Sequence, residues 1–577
     1  MLTSFRPALA LALAFAIHAC APSDGMRGAS ADTLPLSAEQ RGDGAVSAAD
    51  PRAQAAGEEI LAKGGSATDA AIAVMLALTV VEPQSSGIGG GGFLVHAGAT
   101  GLTTFDGRET APAAATPTRF LDENGERLPR DKRVLSGLSV GVPGNIALAA
   151  KAHAEGGTLE WAELFQPAIR LARDGFTMNR RLHASLAGSK GRADKTEAAR
   201  AIFFGADGKP LPVGTKVTNP DLARTFEGLA NAGPRYLYFV MAERLAGYVA
   251  QETPQDGRMS AEDIDTYTAK QRDPVCGAYR TYTVCGMGPP SSGGIAVAQM
   301  LGQLERFDLA ALGPDSATFW HLFLESQRIA YADRALYTGD ADFVDVPVSG
   351  LVDPAYIASR SALISPDKAI EKATPGTPPG VTTAFAPGTP PQENGTTHFS
   401  VVDKDGNAVS YTSTIEGAFG SGLFFEGFYL NNELTDFSLT PTADDKPVAN
   451  RVEGGKRPRS SMAPTIVFDQ DGKVVLVIGA AGGPTIPVQT ARSIIGVVDF
   501  GMSAKEALGL PLLMAFGDVA ISEEDSIVAS LADELRALGH ENIRLLSPRG
   551  KANALLRTPT GWEVARDPRV EANLAYE

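Results

Sequence analysis

The chain has 577 residues, 44% hydrophobic and 20% charged, which suits a globular protein of several domains or one large layered body. Its formal net charge of −16 argues against nucleic acid or an anionic membrane as a partner and mainly favours solubility. The 7 histidines include no His-x-x-x-His pair and the 3 cysteines no Cys-x-x-Cys, so no metal site is expected, and no cofactor is expected either.

Residues 1–20 read as an export signal, with Arg6 as the positive region and Leu9 to Ile17 as an apolar core too short to span a bilayer. The signal closes on Ile17-His18-Ala19-Cys20, similar to the cleavage box of bacterial lipoproteins. His18 is unusual there, so a lipid anchor on Cys20 stands beside ordinary cleavage; both predict an exported, periplasmic protein. Residues 21–45, rich in Ala, Ser, Asp and Gly, read as a flexible tether.

Helices are predicted over Pro51–Lys63, stopped by Gly64-Gly65, and over the nearly all-apolar Ala67–Val80. After the glycine run 89–92 come strands at Phe93–His96 and Leu102–Asp106, with Arg108 just beyond. Trp161–Arg173 and Ala317–Tyr337 have helical periodicity, the second behind Ser316 as N-cap. Cys276 and Cys285 flank a tight turn, either as an oxidised pair across a hairpin or as two half-buried thiols. Thr374–Asn394, dense in Pro and Gly, reads as an exposed connection.

Beyond it the pattern turns to hairpins: Thr397–Val402 and Ala408–Thr414 around Asp405-Gly406, then Pro464–Phe468 and Val474–Ile478 around Asp471-Gly472. Gly479–Gly483 and a helix over Ile486–Val498 follow. Helices, a break, then strands with further helices predict two sheets in α/β/β/α layers around one shared core.

Two motifs mislead. Gly87-Ile88-Gly89-Gly90-Gly91-Gly92 satisfies G-x-G-x-x-G, but a helix precedes it and a strand follows, the reverse of a dinucleotide site; close backbone packing is the better reading. Gly137-Leu138-Ser139-Val140-Gly141 satisfies G-x-S-x-G, yet Val142-Pro143-Gly144 prevents the elbow helix, leaving Ser139 a weak alternative nucleophile.

Thr396 opens a strand directly after the proline-rich connection. A cut between Gly395 and Thr396 gives this residue a hydroxyl nucleophile and a free α-amino base, enough for acyl transfer. Alone it is an ordinary strand threonine; its company carries the reading. Gly482-Gly483 lie between a strand end and a helix start, where backbone N–H groups can receive an oxyanion. Arg108 and Asp436 offer a cation and an anion for an amino-acid-like substrate, and Ser460-Ser461 offer hydroxyls.

From about residue 46 to the C-terminus the chain resembles the γ-glutamyltranspeptidase family of N-terminal-nucleophile hydrolases. The resemblance rests on Ile60 to Ala71, Glu82 to Gly92, Arg108-Glu109-Thr110-Ala111-Pro112, Thr396-Thr397-His398 and Arg457-Pro458-Arg459-Ser460-Ser461-Met462. It implies a four-layer αββα sandwich built jointly by a large subunit (46–395) and a small one (396–577) after autoproteolysis. It further implies Thr396 as nucleophile with Thr414 hydrogen-bonded to it, and Gly482 and Gly483 as oxyanion-hole glycines. Arg108 would grip the substrate α-carboxylate with Ser460 and Ser461, and Asp436 with Glu433 would hold the α-ammonium. The implied donor is glutathione or another γ-glutamyl compound, and the acceptor is water, an amino acid or a peptide. His398 has no part in this scheme.

Two departures bear on the substrate. Well-studied members carry asparagine where this chain has Glu416, and a carboxylate about 4 Å from the donor carboxylate costs on the order of 4 kcal/mol at an effective dielectric of 20. Pairing of Glu416 with a nearby arginine is the plainer expectation. Ser438–Gly455 stands where some members carry a tyrosine-bearing lid; it is shorter and lacks any aromatic, implying a more open cleft that favours hydrolysis. An amidohydrolase for another acyl group, such as glutaryl, is the alternative enzyme. An unprocessed peptide-binding surface lipoprotein is the alternative outside enzymes.

Overall fold

Strand-forming runs with alternating faces decide this architecture. The computed structural model of the protein describes residue 1 and residues 44–381, 385–388, 395–547 and 550–575. The export core, Cys20 and residues 21–43 of the expected tether lie outside them. In chain order the strands of the two large sheets are β1 (Ala45–Ala48), β2 (Gly91–Gly98), β3 (Gly101–Gly107), β4 (Lys270–Arg272), β5 (Val275–Tyr279), β6 (Tyr282–Gly286), β7 (Thr397–Val402), β8 (Ala408–Thr414), β9 (Thr465–Phe468), β10 (Val474–Ala480), β11 (Ala552–Thr558) and β12 (Gly561–Arg566).

They form two antiparallel six-stranded sheets, in the orders β1-β7-β8-β2-β3-β4 and β12-β11-β10-β9-β6-β5. Each sheet mixes strands from both sides of residue 396. The register runs Ser413↔Thr397 between β8 and β7 and Thr414↔Gly91 between β8 and β2.

Residues alternate across the first sheet with the period of 2 that the pleat imposes. Phe399, Val401, Val409 and Tyr411 join the apolar cluster under α1 (Pro51–Ala62) and α2 (Ala67–Val81). The opposite face turns small polar groups toward the second sheet, where Ser400 Oγ donates to the Val477 carbonyl at 3.1 Å and Ser410 Oγ to the Ile478 carbonyl at 3.1 Å. Buried hydroxyls are tolerated there because each finds a partner. All 15 residues of α2 are buried, and Ser66 and Asp69 close its start as a capping box. α3 (Gly293–Leu304), α4 (Ala317–Tyr337) and α5 (Ile486–Val498) cover the far face of the second sheet, giving α/β/β/α layers.

Several element bounds shift, the strand expected at Phe93–His96 spanning Gly91–Gly98 among them, and three differences have a clear cause. Ala45 belongs to β1, paired with Val402, so the expected tether gives way to the sheet within its last residue. Trp161–Arg173 is two helices, Trp161–Leu164 and Gln166–Asp174, because Pro167 lacks the N–H a continuous helix needs. The strand expected at Val474–Ile478 continues to Ala480, against β11.

Cys276 and Cys285 face one another across β5 and β6 and are joined by a disulfide, at a sequence separation of 9. A loop that short removes little unfolded-state entropy, so replacing both residues by alanine is expected to cost about 2–3 kcal/mol and to leave the fold intact. Denaturant titration of the double variant beside the parent checks this.

Candidate active site

The chain enters β7 through a backbone that a β-branched residue ordinarily avoids. Thr396 has φ 84° and Glu416, after the end of β8, has φ 70°. Left-handed backbone at a threonine is strained, at a cost of order 1–3 kcal/mol, and persists only where the surroundings impose it. Here they do. The Thr396 N–H donates to the Ser85 carbonyl at 3.1 Å, and its carbonyl accepts from Lys551 Nζ at 2.7 Å. A Cβ on Gly395 would lie 1.8 Å from the Glu416 carbonyl oxygen, so only glycine fits before Thr396.

The Thr396 side chain is likewise fixed. Its Oγ1 donates to Thr414 Oγ1 at 3.0 Å, and that oxygen also accepts the Glu416 N–H at 2.8 Å. Thr396 is only 5% exposed. The glycine run packs beneath this corner: a Cβ on Gly90 would lie 2.0 Å from the Thr414 carbonyl oxygen, which bears out close backbone packing over a dinucleotide loop.

Arg108 follows β3 and is buried among acids. Its guanidinium forms ion pairs with Glu433 and Asp436, and its Nη1 lies 3.9 Å from Glu109 Oε2. The Pro458 and Arg459 carbonyls each accept from it at 3.1 Å. Burial raises the Glu109 carboxyl to about 8, with Arg108 pulling it down only in part. Glu433 is raised well above the usual range by burial, against the pull of Arg108, and Asp436 is raised in the same way. Glu109 therefore keeps its proton at neutral pH, while Glu433 and Asp436, though raised by burial, are the two carboxyls paired with the Arg108 guanidinium. A zwitterionic α-amino acid suits such a site, its carboxylate for Arg108 and its ammonium for the acids.

Ser460 and Ser461 are buried beside this cluster. Arg334 on α4 donates to Ser461 Oγ at 2.6 Å and to Ser292 Oγ at 2.7 Å, and Ser292 Oγ donates to the Ser460 carbonyl at 2.7 Å. Arg334 thus brings a second guanidinium that draws on Asp436. Gly482 (φ 118°) and Gly483 (φ 58°) form the corner between β10 and α5. Neighbouring Ala481 donates its N–H to the Lys551 carbonyl at 2.7 Å, so Lys551 ties this corner to Thr396.

Glu416 meets Asn432, whose Nδ2 donates to its carboxylate, while Arg192 donates to Asn432 Oδ1 at 2.7 Å. The arginine expected near Glu416 is Arg192, reached through Asn432. Ser438–Gly455 carries a two-residue hairpin, Thr442–Ala443 against Lys446–Pro447, with an exposed tip. The Ala386 N–H donates to the Pro447 carbonyl of this hairpin at 2.9 Å.

Ser139 is no nucleophile: its Oγ donates to the Val134 and Ser136 carbonyls, and the residue is fully buried. His398 bonds Thr412 and Ser400, and burial lowers it to about 3, so it is a neutral structural group. Sequence reading gave no role to Lys551, Glu82, Ser85, Glu109 or Arg334. Glu82, Ser85 and Glu109 lay inside the recognised blocks, a usable signal; Lys551 and Arg334 carried none.

A sequence model of the family described as gamma-glutamyltranspeptidase matches residues 53–576. The chain is 39% identical over 511 residues to the glutathione hydrolase proenzyme of Bacillus subtilis (strain 168), covering 86% of this chain and 85% of that protein. It is 35% identical over 520 residues to the acylase ACY 1 proenzyme of Pseudomonas sp. (strain SE83), with 89% of each covered. Among solved structures, cephalosporin acylase from Bacillus halodurans superposes with a TM-score of 0.80 at 25% identity, over 92% of this chain and 95% of that one.

The acid cluster predicts a signed pH effect. Between the ordinary carboxyl range and about 8 the folded protein keeps a proton on Glu109 that the unfolded chain has released, so stability falls as pH rises through that window. Glu109→Gln should lose less stability than the parent between pH 5 and 8, at about 1.4 kcal/mol for each pH unit of the raised window. Melting curves at pH 5, 6.5 and 8 measure it; equal slopes would rule it out.

Proposed function

This chain belongs to the gamma-glutamyltranspeptidase family and is an enzyme of that kind; from that premise we propose that it is made as one precursor, cuts itself between Gly395 and Thr396, and then transfers γ-glutamyl groups from Thr396. The observation that carries this reading is the strained Thr396 held by both backbone ends with its hydroxyl on Thr414.

In the precursor the Thr396 hydroxyl attacks the Gly395 carbonyl carbon. The C–N bond breaks, leaving an ester to Oγ1 and a free α-amine, and water hydrolyses the ester to a Gly395 carboxylate. The φ angle of Thr396 is defined by the bond that is cut, so its backbone strain ends with cleavage. The α-amine, with a reference pKa of about 7.7–8.0, takes the hydroxyl proton as Thr396 attacks the γ-carbonyl of glutathione or another γ-glutamyl amide. Gly482 and Gly483 amides receive the oxyanion, and the protonated amine returns its proton to the leaving amine. Water, an amino acid or a peptide then releases the acyl group. Arg108, Ser460 and Ser461 take the donor carboxylate, and Glu433 and Asp436 its ammonium.

Likeness to acylases supports a second reading, an amidohydrolase for an acyl group such as glutaryl. The acids around Arg108 weigh against it, because a glutaryl group brings no ammonium to offset them. The proposal includes export of the protein by residues 1–20, with a lipid on Cys20 or cleavage there; the mass of the mature N-terminus distinguishes the two.

The parent protein is expected to give two fragments divided before Thr396, and Thr396→Ala to stay whole and lose turnover at least about 1,000-fold. Intact mass and rates on γ-glutamyl and glutaryl anilides test this; a lasting single chain without activity, as for an unprocessed peptide-binding lipoprotein, or a strong glutaryl preference, overturns it. Glu416→Asn removes a negative charge beside the donor site and should raise γ-glutamyl kcat/KM by about tenfold, or about 1.4 kcal/mol in barrier. An unchanged value removes repulsion by Glu416 from the account.

A further inference from the structure

Lys551 precedes β11, in a stretch that no motif marks. Its ammonium has three N–H donors, and three acceptors meet it: the Thr396 carbonyl at 2.7 Å, Ser85 Oγ at 3.0 Å and Glu82 Oε2 at 3.2 Å. Its side chain is 13% exposed, so water screens it little. Glu82 also pairs with Arg181 and accepts from Thr397 Oγ1 at 3.1 Å, so the acid beneath the nucleophile is shared by two cations and the next residue's hydroxyl. Asp50 bears on Arg181 but pairs with Arg52. Those five groups carry three positive and two negative charges, which leaves one net positive charge beside Thr396. Of the remaining titratable groups at this corner, His398 is neutral and Glu416 lies on the Thr414 side, facing Asn432.

We propose that Lys551 is a positioning residue for the nucleophile: it fixes the Thr396 carbonyl and, with Arg181, supplies the positive field that keeps the released Thr396 α-amine neutral near pH 7. The inference deepens the proposed function and rests on Thr396 being freed as an N-terminus. A neutral amine can accept the hydroxyl proton, whereas a protonated one cannot. A like charge within about 4–6 Å disfavours the protonated amine by about one to three pH units. Burial and Arg181 push Lys551 below the ordinary lysine range, while the Glu82 carboxylate at 3.2 Å favours its charged form.

The test is the pH profile of kcat/KM on a γ-glutamyl anilide for processed parent, K551M, K551R and E82Q. Removing the cation in K551M should move the acid limb up by about one pH unit or more, a loss of roughly tenfold at pH 6 relative to the plateau. K551R should keep the parent limb. E82Q removes the shared anion and should move the limb down, a reversal of sign that damage to the fold does not produce. Limbs of K551M and E82Q that coincide with the parent's overturn the role, even where plateau rates fall. If K551M stays uncut, E82Q decides alone, its downward shift supporting the role and an unmoved limb overturning it. A parent that stays uncut overturns both this inference and the reading of Thr396, and needs no variant to recognise.

Discussion

The corner from Glu82 to Ser85 is the constraint on which the centre of this protein depends. It lies between the C-terminus of the buried helix α2 and the glycine run, and it touches Thr396 by backbone and by charge. The Ser85 carbonyl takes the Thr396 N–H, while Glu82 and the Ser85 hydroxyl share Lys551, which holds the Thr396 carbonyl. A strained residue needs restraint on both sides, and a corner fixed by a fully buried helix supplies it more firmly than a surface loop could.

A second constraint is electrostatic. Burying Arg108 with Glu109, Glu433 and Asp436 removes four ionisable groups from water, and such clusters seldom repay their desolvation in stability. On the proposed reading their benefit is preorganisation: the dipoles and charges would already stand where a zwitterion needs them, so binding would require little reorganisation. The surplus of acid over base would also discriminate. A ligand bringing an ammonium completes the charge balance, and one bringing only carboxylates worsens it.

Much of this was legible in the sequence. The strands Thr397–Val402 and Ala408–Thr414 and the helices Ala317–Tyr337 and Ile486–Val498 match residue for residue, because turn residues and an N-cap mark several of their ends. The strand Ala45–Ala48 was hidden by small residues that resemble tether, since its stability comes from pairing with β7 and not from its own side chains. Arg108, Asp436 and Thr396 were singled out from the residues, Glu433 and Thr414 through the family resemblance, and the structure groups Arg108 with Glu433 and Asp436, and Thr396 with Thr414. Lys551 was not, because its position near Thr396 arises from β11 pairing with β10 beneath β7, a long-range fact that no local pattern encodes.

The interleaving of strands has a kinetic consequence. In the first sheet β7 and β8 lie between β1 and β2, and in the second β9 through β12 extend from β6. A break after residue 395 leaves these ladders intact, so the two pieces would stay joined by the β1–β7, β8–β2 and β9–β6 pairings. Once unfolded, however, two separate chains must meet to rebuild either sheet, and recovery becomes second order in concentration where the precursor's was first order. For a chain cut there, folding would have to come first, and afterwards its lifetime would be set by how slowly it unfolds and not by its equilibrium stability.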